Sequence, residues 1–484
     1  MNGTISKKTF IEKYLKAVKN DDAAIFAGAG TSISSGFLDW KNLVKEFAEE
    51  INLDVDRESD LIKVMQYYYN SKSRKRQSIN QVLVDNFSNT ILNKTVNALA
   101  KLPISTYWTT NYDKLIERAL EENRRKPDVK SDSNQLSFKI SDSDATVYKM
   151  HGDISTPGEA VFIKDDYDSY DEKRALFTTT LKADLVSKTF LFIGYSFEDP
   201  NLDRILSKLN MLIEENTREH YCIMKKVARN DYKNEETQII DESTFKYDQI
   251  KQKLKMDDLS RYGIQTLLVD DYYEIPLILE KIYNLQLSDS IFISGSIEFY
   301  NEKWTIDKVN NFCFNLSEKL VSNSNIIISG FGLGIGSNII NGALSEIFDN
   351  RFGHTNEYLK LYPFPQSHSD SQKLKVLWSR YREMMISKSG ICIFMFGNKT
   401  ENGKCTNANG MFEEFEIACK LGKKVIPLPT TGYQAEKIFE YLEEHNFPEY
   451  LSKFKDNLLN VEDENLIDLV IRIVEYIQNK GADL

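Results

Sequence analysis

A chain of 484 residues with 41% hydrophobic, 12% aromatic and 27% charged residues has the composition of an ordinary globular protein of two or three domains, which excludes a disordered one. A formal charge of -11 argues against a nucleic-acid binder that works by bulk electrostatics, and no apolar run of about 18 residues is present to cross a membrane as a helix. The five cysteines are scattered without a C-x-x-C pair, so a reduced, cytoplasmic protein without a metal site is expected.

Residues 1–20 read as an amphipathic, mixed-charge helix rather than a signal peptide. Apolar runs rich in β-branched and aromatic residues then recur at 23–27, 104–109, 147–150, 189–195, 221–224 and 264–269, with helical patterns between them. Parallel strands need crossover connections, so this alternation predicts a doubly wound α/β domain. The basic run Lys72-Ser73-Arg74-Lys75-Arg76 reads as a solvated loop. A helix over 275–283 ends near residue 284, and a fresh cycle follows, with strands at 291–294, 325–329, 360–364, 391–396 and 424–428 and helices over 303–321 and 411–421. The expected fold is therefore two Rossmann-like, doubly wound parallel-sheet domains, residues 1–285 and 286–484, and the lack of a repeat between them predicts different ligands.

In the first half, four buried strands end in small or polar groups: Gly28-Ala29-Gly30-Thr31-Ser32, then Asn111 and Asp113, then His151, then Gly194 and Ser196. Carboxyl ends of parallel strands lie along one edge, so these groups can converge on a ligand. The glycine turn predicts peptide N–H groups aimed outward at a phosphate, against the plainer reading of a tight turn with positive φ. Asp113 serves equally well as the cap of a helix over 114–121, and His151 as a buried core residue. The spacing is not G-x-G-x-x-G, which removes an ordinary dinucleotide dehydrogenase.

The set GAGTS, TTNYD, HGD and FIGYSFEDPN resembles the Sir2 family, which binds NAD and breaks its nicotinamide–ribose bond. The resemblance implies that Gly28, Ala29, Gly30, Thr31 and Ser32 hold the pyrophosphate, that Asn111 positions the nicotinamide-side ribose and that His151 is the general base, and the convergence of strand ends adds Asp113, Gly194 and Ser196 as expected nucleotide-binding residues. Deacetylases of that family carry a four-cysteine zinc ribbon, which this sequence lacks. Water is then the expected acceptor of ADP-ribose and no metal is implied. A non-catalytic nucleotide sensor and a zinc-free ADP-ribosyltransferase or deacylase are the alternatives.

In the second half, ISGFGLGIGSN runs from a strand through Gly330, Gly332, Gly334 and Gly336 towards a helix, a stronger phosphate-cradle pattern than the first. Gly295 and Ser296 end the preceding strand. Downstream lie Arg380 and Arg382, Lys399, and Glu413 and Glu414, cations suited to phosphates and carboxylates suited to ribose hydroxyls. This half resembles the SLOG family of nucleotide-binding Rossmann folds. A Sir2 module followed by a SLOG module is the arrangement of the effectors of Thoeris antiphage defence. It implies a homotetramer whose SLOG domain binds a cyclic ADP-ribose isomer made by a TIR-domain partner and thereby switches on NAD destruction. By motif position, Gly295, Ser296, Gly332, Leu333, Gly334, Arg382, Lys399 and Glu414 are the implied activator site, with Arg382 over Arg380 and Glu414 over Glu413 the finer choice.

Overall fold

The computed structural model describes residues 3–88, 91–213, 218–234, 236–364, 371–401 and 403–482. The chain divides into two units, Met1–Tyr283 and Asn284–Leu484.

The first unit is built on eight strands: β1 (Thr4–Ile5), β2 (Ala23–Ala27), β3 (Thr106–Thr109), β4 (Pro127–Lys130), β5 (Ala145–Lys149), β6 (Thr189–Ile193), β7 (His220–Lys225) and β8 (Ile264–Val269). They pair, all in parallel, in the order β1-β8-β7-β6-β2-β3-β5-β4. The two central strands, AAIFA and TFLFI, are buried at every residue, because helices cover both faces of a parallel sheet. From β2 the chain winds outward to β3 on one side, and later to β6 on the other. The strand order thus reverses between β2 and β6, where an open sheet leaves a crevice at its carboxyl edge.

Five strands form the sheet of the second unit: β9 (Ser290–Ser296), β10 (Ile326–Ser329), β11 (Leu359–Leu361), β12 (Ile391–Phe396) and β15 (Lys424–Pro427), in the parallel order β11-β10-β9-β12-β15. Here the order reverses between β9 and β12. A separate antiparallel hairpin, β13 (Asn398–Glu401) with β14 (Lys404–Asn407), follows β12 directly.

Several expectations are corrected. The N-terminal segment is not helical throughout: Thr4 and Ile5 first pair with Thr266 and Leu267 at the sheet edge, and Ser6 then caps the helix Lys7–Lys19 by accepting from Thr9 N. Strand β4 reads PDVK, too polar to look like a strand. It sits at an edge, where Pro127 withholds no needed donor and Asp128 pairs with Lys130 at 2.8 Å. The strand expected over 360–364 is Leu359–Leu361. The basic run is not simply solvated, since Arg76 forks onto Asp166 at 2.8 Å and onto the carbonyl of Ala160.

Candidate functional site

In the first unit, Ala29, Gly30, Thr31 and Ser32 beyond β2, Asn111 and Asp113 beyond β3, His151 beyond β5, and Gly194 and Ser196 beyond β6 all line one cleft of about 990 Å³. That is the upper end of the range for small-molecule sites. Gly28 stands just behind it, its carbonyl accepting from Asn111.

The glycines answer to backbone rather than to open space. A Cβ on Gly28 would fall 2.5 Å from the carbonyl oxygen of Gly194, and one on Gly30 2.9 Å from the same oxygen. Gly194 itself has φ +61, and its Cβ would lie 2.4 Å from the nitrogen of Thr31. Two loops are therefore pressed main chain to main chain at the point where strand order reverses. This corrects most of the outward-donor reading: Gly28 N donates to Ile193 O, Gly30 N to Gly194 O, Thr31 N to Gly28 O and Ser32 N to Ala29 O, which leaves only the Ala29 N–H of this turn without an acceptor among the described residues. These four N–H groups are spent inside the protein. Gly194→Ala combines a disfavoured φ with a clash against backbone, so a loss on the order of 1–3 kcal/mol in equilibrium unfolding is expected. An unfolding midpoint equal to that of the parent chain would refute the packing role.

Asn111 is held by its own amide. Its Nδ2 donates to Gly28 O at 3.1 Å and Ser32 Oγ at 3.0 Å, while its N–H donates to Thr109 Oγ1 at 3.0 Å. Because Gly28 O demands a donor, the amide orientation follows, and Oδ1 is left buried without a partner among the described residues. A buried acceptor of that kind is suited to a ligand hydroxyl. Asp113 Oδ1 accepts from Leu115 N at 2.9 Å at the helix start, and Oδ2 accepts from Ser32 Oγ at 2.7 Å, which ties it to the glycine turn. Burial raises the pKa of its carboxyl despite those donors.

His151 is 4% exposed, and its Nε2 lies 3.0 Å from Oδ2 of Asp199, close enough for an ion pair but off the line of a straight hydrogen bond. The other Asp199 oxygen accepts from Asn201 N at 2.9 Å and Leu202 N at 3.0 Å, capping the helix Pro200–Ile213. Burial pushes the Asp199 carboxyl up, but His151 and the capping donors outweigh it and hold it below the usual range. One carboxylate thus starts a helix and orients an imidazole.

Beneath these groups lies Lys149, the last residue of β5 and wholly buried. Its ammonium sits 3.1 Å from Glu117, contacts Asp153, and donates to the carbonyls of Tyr112 at 3.1 Å and Asp113. Burial alone would lower its pKa, but Glu117 and Asp153 outweigh that and hold it above the ordinary lysine value. The ammonium ties the exit of β3, which carries Asn111, to the exit of β5, which carries His151.

In the second unit, the glycines again permit backbone contact. A Cβ on Gly332 would meet Gly295 O at 2.1 Å, and one on Gly334, at φ +79, would meet Ile297 O at 2.0 Å. Ile297 N donates to Leu333 O at 2.9 Å, so the loop rests on the exit of β9. Where the first turn keeps only the Ala29 N–H, this one keeps three donors: among the described residues none accepts from the N–H of Gly332, Leu333 or Gly334. Gly336 begins the helix Gly336–Asn350. Arg382, on the helix Ser371–Ser387, bonds to Glu413 at 2.7 Å and Glu414 at 3.3 Å, and its guanidinium lies 5.1 Å from the Phe364 ring, which also backs Gly330. Glu414 accepts in addition from Ser294 Oγ at 2.6 Å, and burial raises its pKa despite Ser294 and Arg382. Arg380 and Glu413 are the outer members of their pairs, Arg380 being exposed. Ser296 donates to the carbonyl of Asn398 at 2.9 Å, and the ammonium of neighbouring Lys399 pairs with Glu401 at 3.2 Å. The geometry therefore joins Ser294, Arg382 and Glu414, while Lys399 is engaged on its own hairpin.

Residues 274–477 match the model of the Sir2- and TIR-associating SLOG family, and residues 105–247 that of the SIR2-like domain. The chain is 44% identical over 478 residues to NAD(+) hydrolase ThsA of Cytobacillus dafuensis, covering 97% of this chain and 96% of that protein. It is 41% identical to NAD(+) hydrolase ThsA of Bacillus cereus (strain MSX-D12), with 97% and 98% covered, and 40% identical to that of Enterococcus faecium, with 98% and 100% covered. The chain belongs to the ThsA family.

Within that family assignment, the structure adds residues that the sequence reading passed over. Asp199 lay inside the quoted FIGYSFEDPN motif without a role, although an acid directly before Pro200 at a helix start was a legible cap. Lys149 carried no signal, because a lysine ending a strand is ordinarily solvated. Among the described residues no group of three or more His, Cys, Asp or Glu is placed to hold a metal ion, and no helix is long and apolar enough to cross a membrane.

Proposed function

We propose that this chain is an NAD+ glycohydrolase: water replaces nicotinamide at the ribose anomeric carbon, releasing ADP-ribose, nicotinamide and a proton. The observation that carries the reading is the meeting, in one cleft, of the His151–Asp199 pair with the unpartnered Oδ1 of Asn111. A neutral imidazole that carries its proton on Nε2, the nitrogen beside Asp199, keeps the lone pair on Nδ1, which takes the proton from the attacking water or a ribose hydroxyl. Asn111 Oδ1 accepts from a ribose hydroxyl and holds the sugar as its glycosidic bond breaks. The leaving nicotinamide departs neutral, so no acid is needed, and the oxocarbenium-like sugar is captured by water.

The second unit is the switch in this reading. A cyclic ADP-ribose isomer, made by a TIR-domain partner during phage infection, places its phosphates on the unspent N–H groups of Gly332, Leu333 and Gly334 and a ribose against the Arg382–Glu414 pair. Gly295 and Ser296 form the floor, Lys399 stands at the rim, and binding activates a cytoplasmic homotetramer. Incubating the full chain with NAD+ and a panel of cyclic ADP-ribose isomers tests both halves. Free ADP-ribose and nicotinamide released only with one isomer is the expected result. Label transferred to protein, or no turnover with any isomer, refutes it.

Arg382→Ala or Glu414→Gln is expected to move the activation midpoint by about tenfold or more, since one charge-assisted contact is worth about that much. Arg380→Ala, on the exposed face, leaves it in place. Affinity and turnover measured on the same variant decide the point: parental affinity with lost activation transfers these residues from ligand reading to signal transmission.

A further inference from the structure

The cleft of the first unit also takes in the exit of β7 and one face of the helix Glu242–Ser260, whose Asp248, Lys251, Gln252 and Lys255 belong to its lining. Gln252 fixes that helix in place, its Oε1 accepting from Val227 N at 3.1 Å and its Nε2 donating to Lys225 O at 2.8 Å. Lys251 and Lys255 are four positions apart and share a helix face. Four lysines appear among the lining residues, and their engagements differ. Lys41 is paired with Asp56 at 2.6 Å and Lys225 with Asp231 at 3.0 Å. Lys255 donates to the carbonyl of Ser196 at 2.5 Å, and Lys251 is bonded to no described residue. A dinucleotide brings a pyrophosphate carrying two negative charges into a cleft whose glycine turn has spent four of its N–H groups and keeps only that of Ala29, a neutral donor. Cationic charge must come from elsewhere.

We infer that Lys251 and Lys255 form the cationic clamp for the substrate's pyrophosphate, Lys251 as the free charge and Lys255 by exchanging the Ser196 carbonyl for a phosphate oxygen. The assignment rests on the NAD+ hydrolase reading of the cleft. An ammonium suits this task, being a compact point charge on a flexible stem that can follow a phosphate without fixed geometry. Such a contact persists from bound substrate through the transition state, so it contributes to KM rather than to kcat.

The test uses the activated full-length chain and two products as probes, ADP-ribose, which carries the pyrophosphate, and nicotinamide, which does not. Lys251→Ala is expected to raise KM for NAD+ and the inhibition constant of ADP-ribose together, by about tenfold at low salt, with kcat changed less than about threefold. The inhibition constant of nicotinamide stays at its parental value, and Lys251→Arg restores most of the loss. Lys255→Ala shows the same split, and added salt narrows the gap between each variant and the parent. If the parent turns over NAD+ and both variants keep parental KM and ADP-ribose inhibition, the clamp is overturned while the hydrolase reading stands. A fall in kcat with KM unchanged also overturns it. Failure of the activated parent to release nicotinamide at all removes the hydrolase reading and the clamp with it.

Discussion

Replacing His151 by alanine is expected to lower NAD+ turnover by about a hundredfold or more, the ordinary contribution of a positioned base, while the inhibition constant of ADP-ribose, tested against residual activity, changes little. The side chain is buried, yet it packs at the cleft wall beside Tyr167 rather than in the sheet core, so truncation removes chemistry more than packing. Asp199→Asn is the sharper companion. It keeps the helix cap, because an amide oxygen still accepts from Asn201 and Leu202, but it loses the charge that orients the imidazole. Its loss in kcat should be smaller than that of His151→Ala, and a double variant should fall no further than His151→Ala alone, since Asp199 acts through the histidine. A folded, activated His151→Ala protein that cleaves NAD+ at the parental rate would remove the base from the mechanism. Asn111→Ala belongs to the same experiment and is expected to lose turnover as well, by releasing the ribose and loosening the Gly28 and Ser32 contacts.

Lys149→Met is expected to be strongly destabilising, by about 3–5 kcal/mol, because it strands Glu117 as a buried carboxylate without its counter-ion and leaves Asp153 only the more distant Lys114 at 3.7 Å. Burial already raises the Glu117 pKa against the pull of Lys149, whereas Asp153 is held below the usual range, because Lys149 and its Ser155 contacts outweigh burial there. Most of the cost should therefore fall on Glu117 once the ammonium is gone. Adding Glu117→Gln and Asp153→Asn to Lys149→Met should recover a large part of the lost stability, which a simple cavity would not allow. Equilibrium unfolding in urea of the single and triple variants measures this directly, and a single-variant loss below about 1 kcal/mol would show that the network is not under this strain. Activity should fall in the single variant even at temperatures where it remains folded, because the loops bearing Asn111 and His151 lose the common donor that ties them.

The two-sheet architecture was legible in the sequence because buried parallel strands announce themselves: AAIFA, TFLFI and ICIFMF are runs that only burial on both faces explains. The polar strand β4 and the two-residue β1 escaped because edge strands need no such run. Motif order likewise placed the residues that line the cleft, since the carboxyl edge of a parallel sheet gathers whatever follows each strand.

The linear chain by itself determined which residues stand at the strand ends, and therefore that Asn111, His151 and the GAGTS turn would meet, for strand ends in a parallel sheet share one edge. It could not determine what each atom at that edge is occupied with. Only the tertiary structure decided that the first glycine turn keeps a single donor, the Ala29 N–H, while the second keeps those of Gly332, Leu333 and Gly334. Only the fold brought Asp199 to His151, 48 residues away by numbering, and Lys149 beneath both loops. The physical reason is that hydrogen bonds and ion pairs are short-ranged and directional. Patterns of burial are written along the chain, but a donor's partner is chosen by whatever the folded sheet sets within about 3 Å of it.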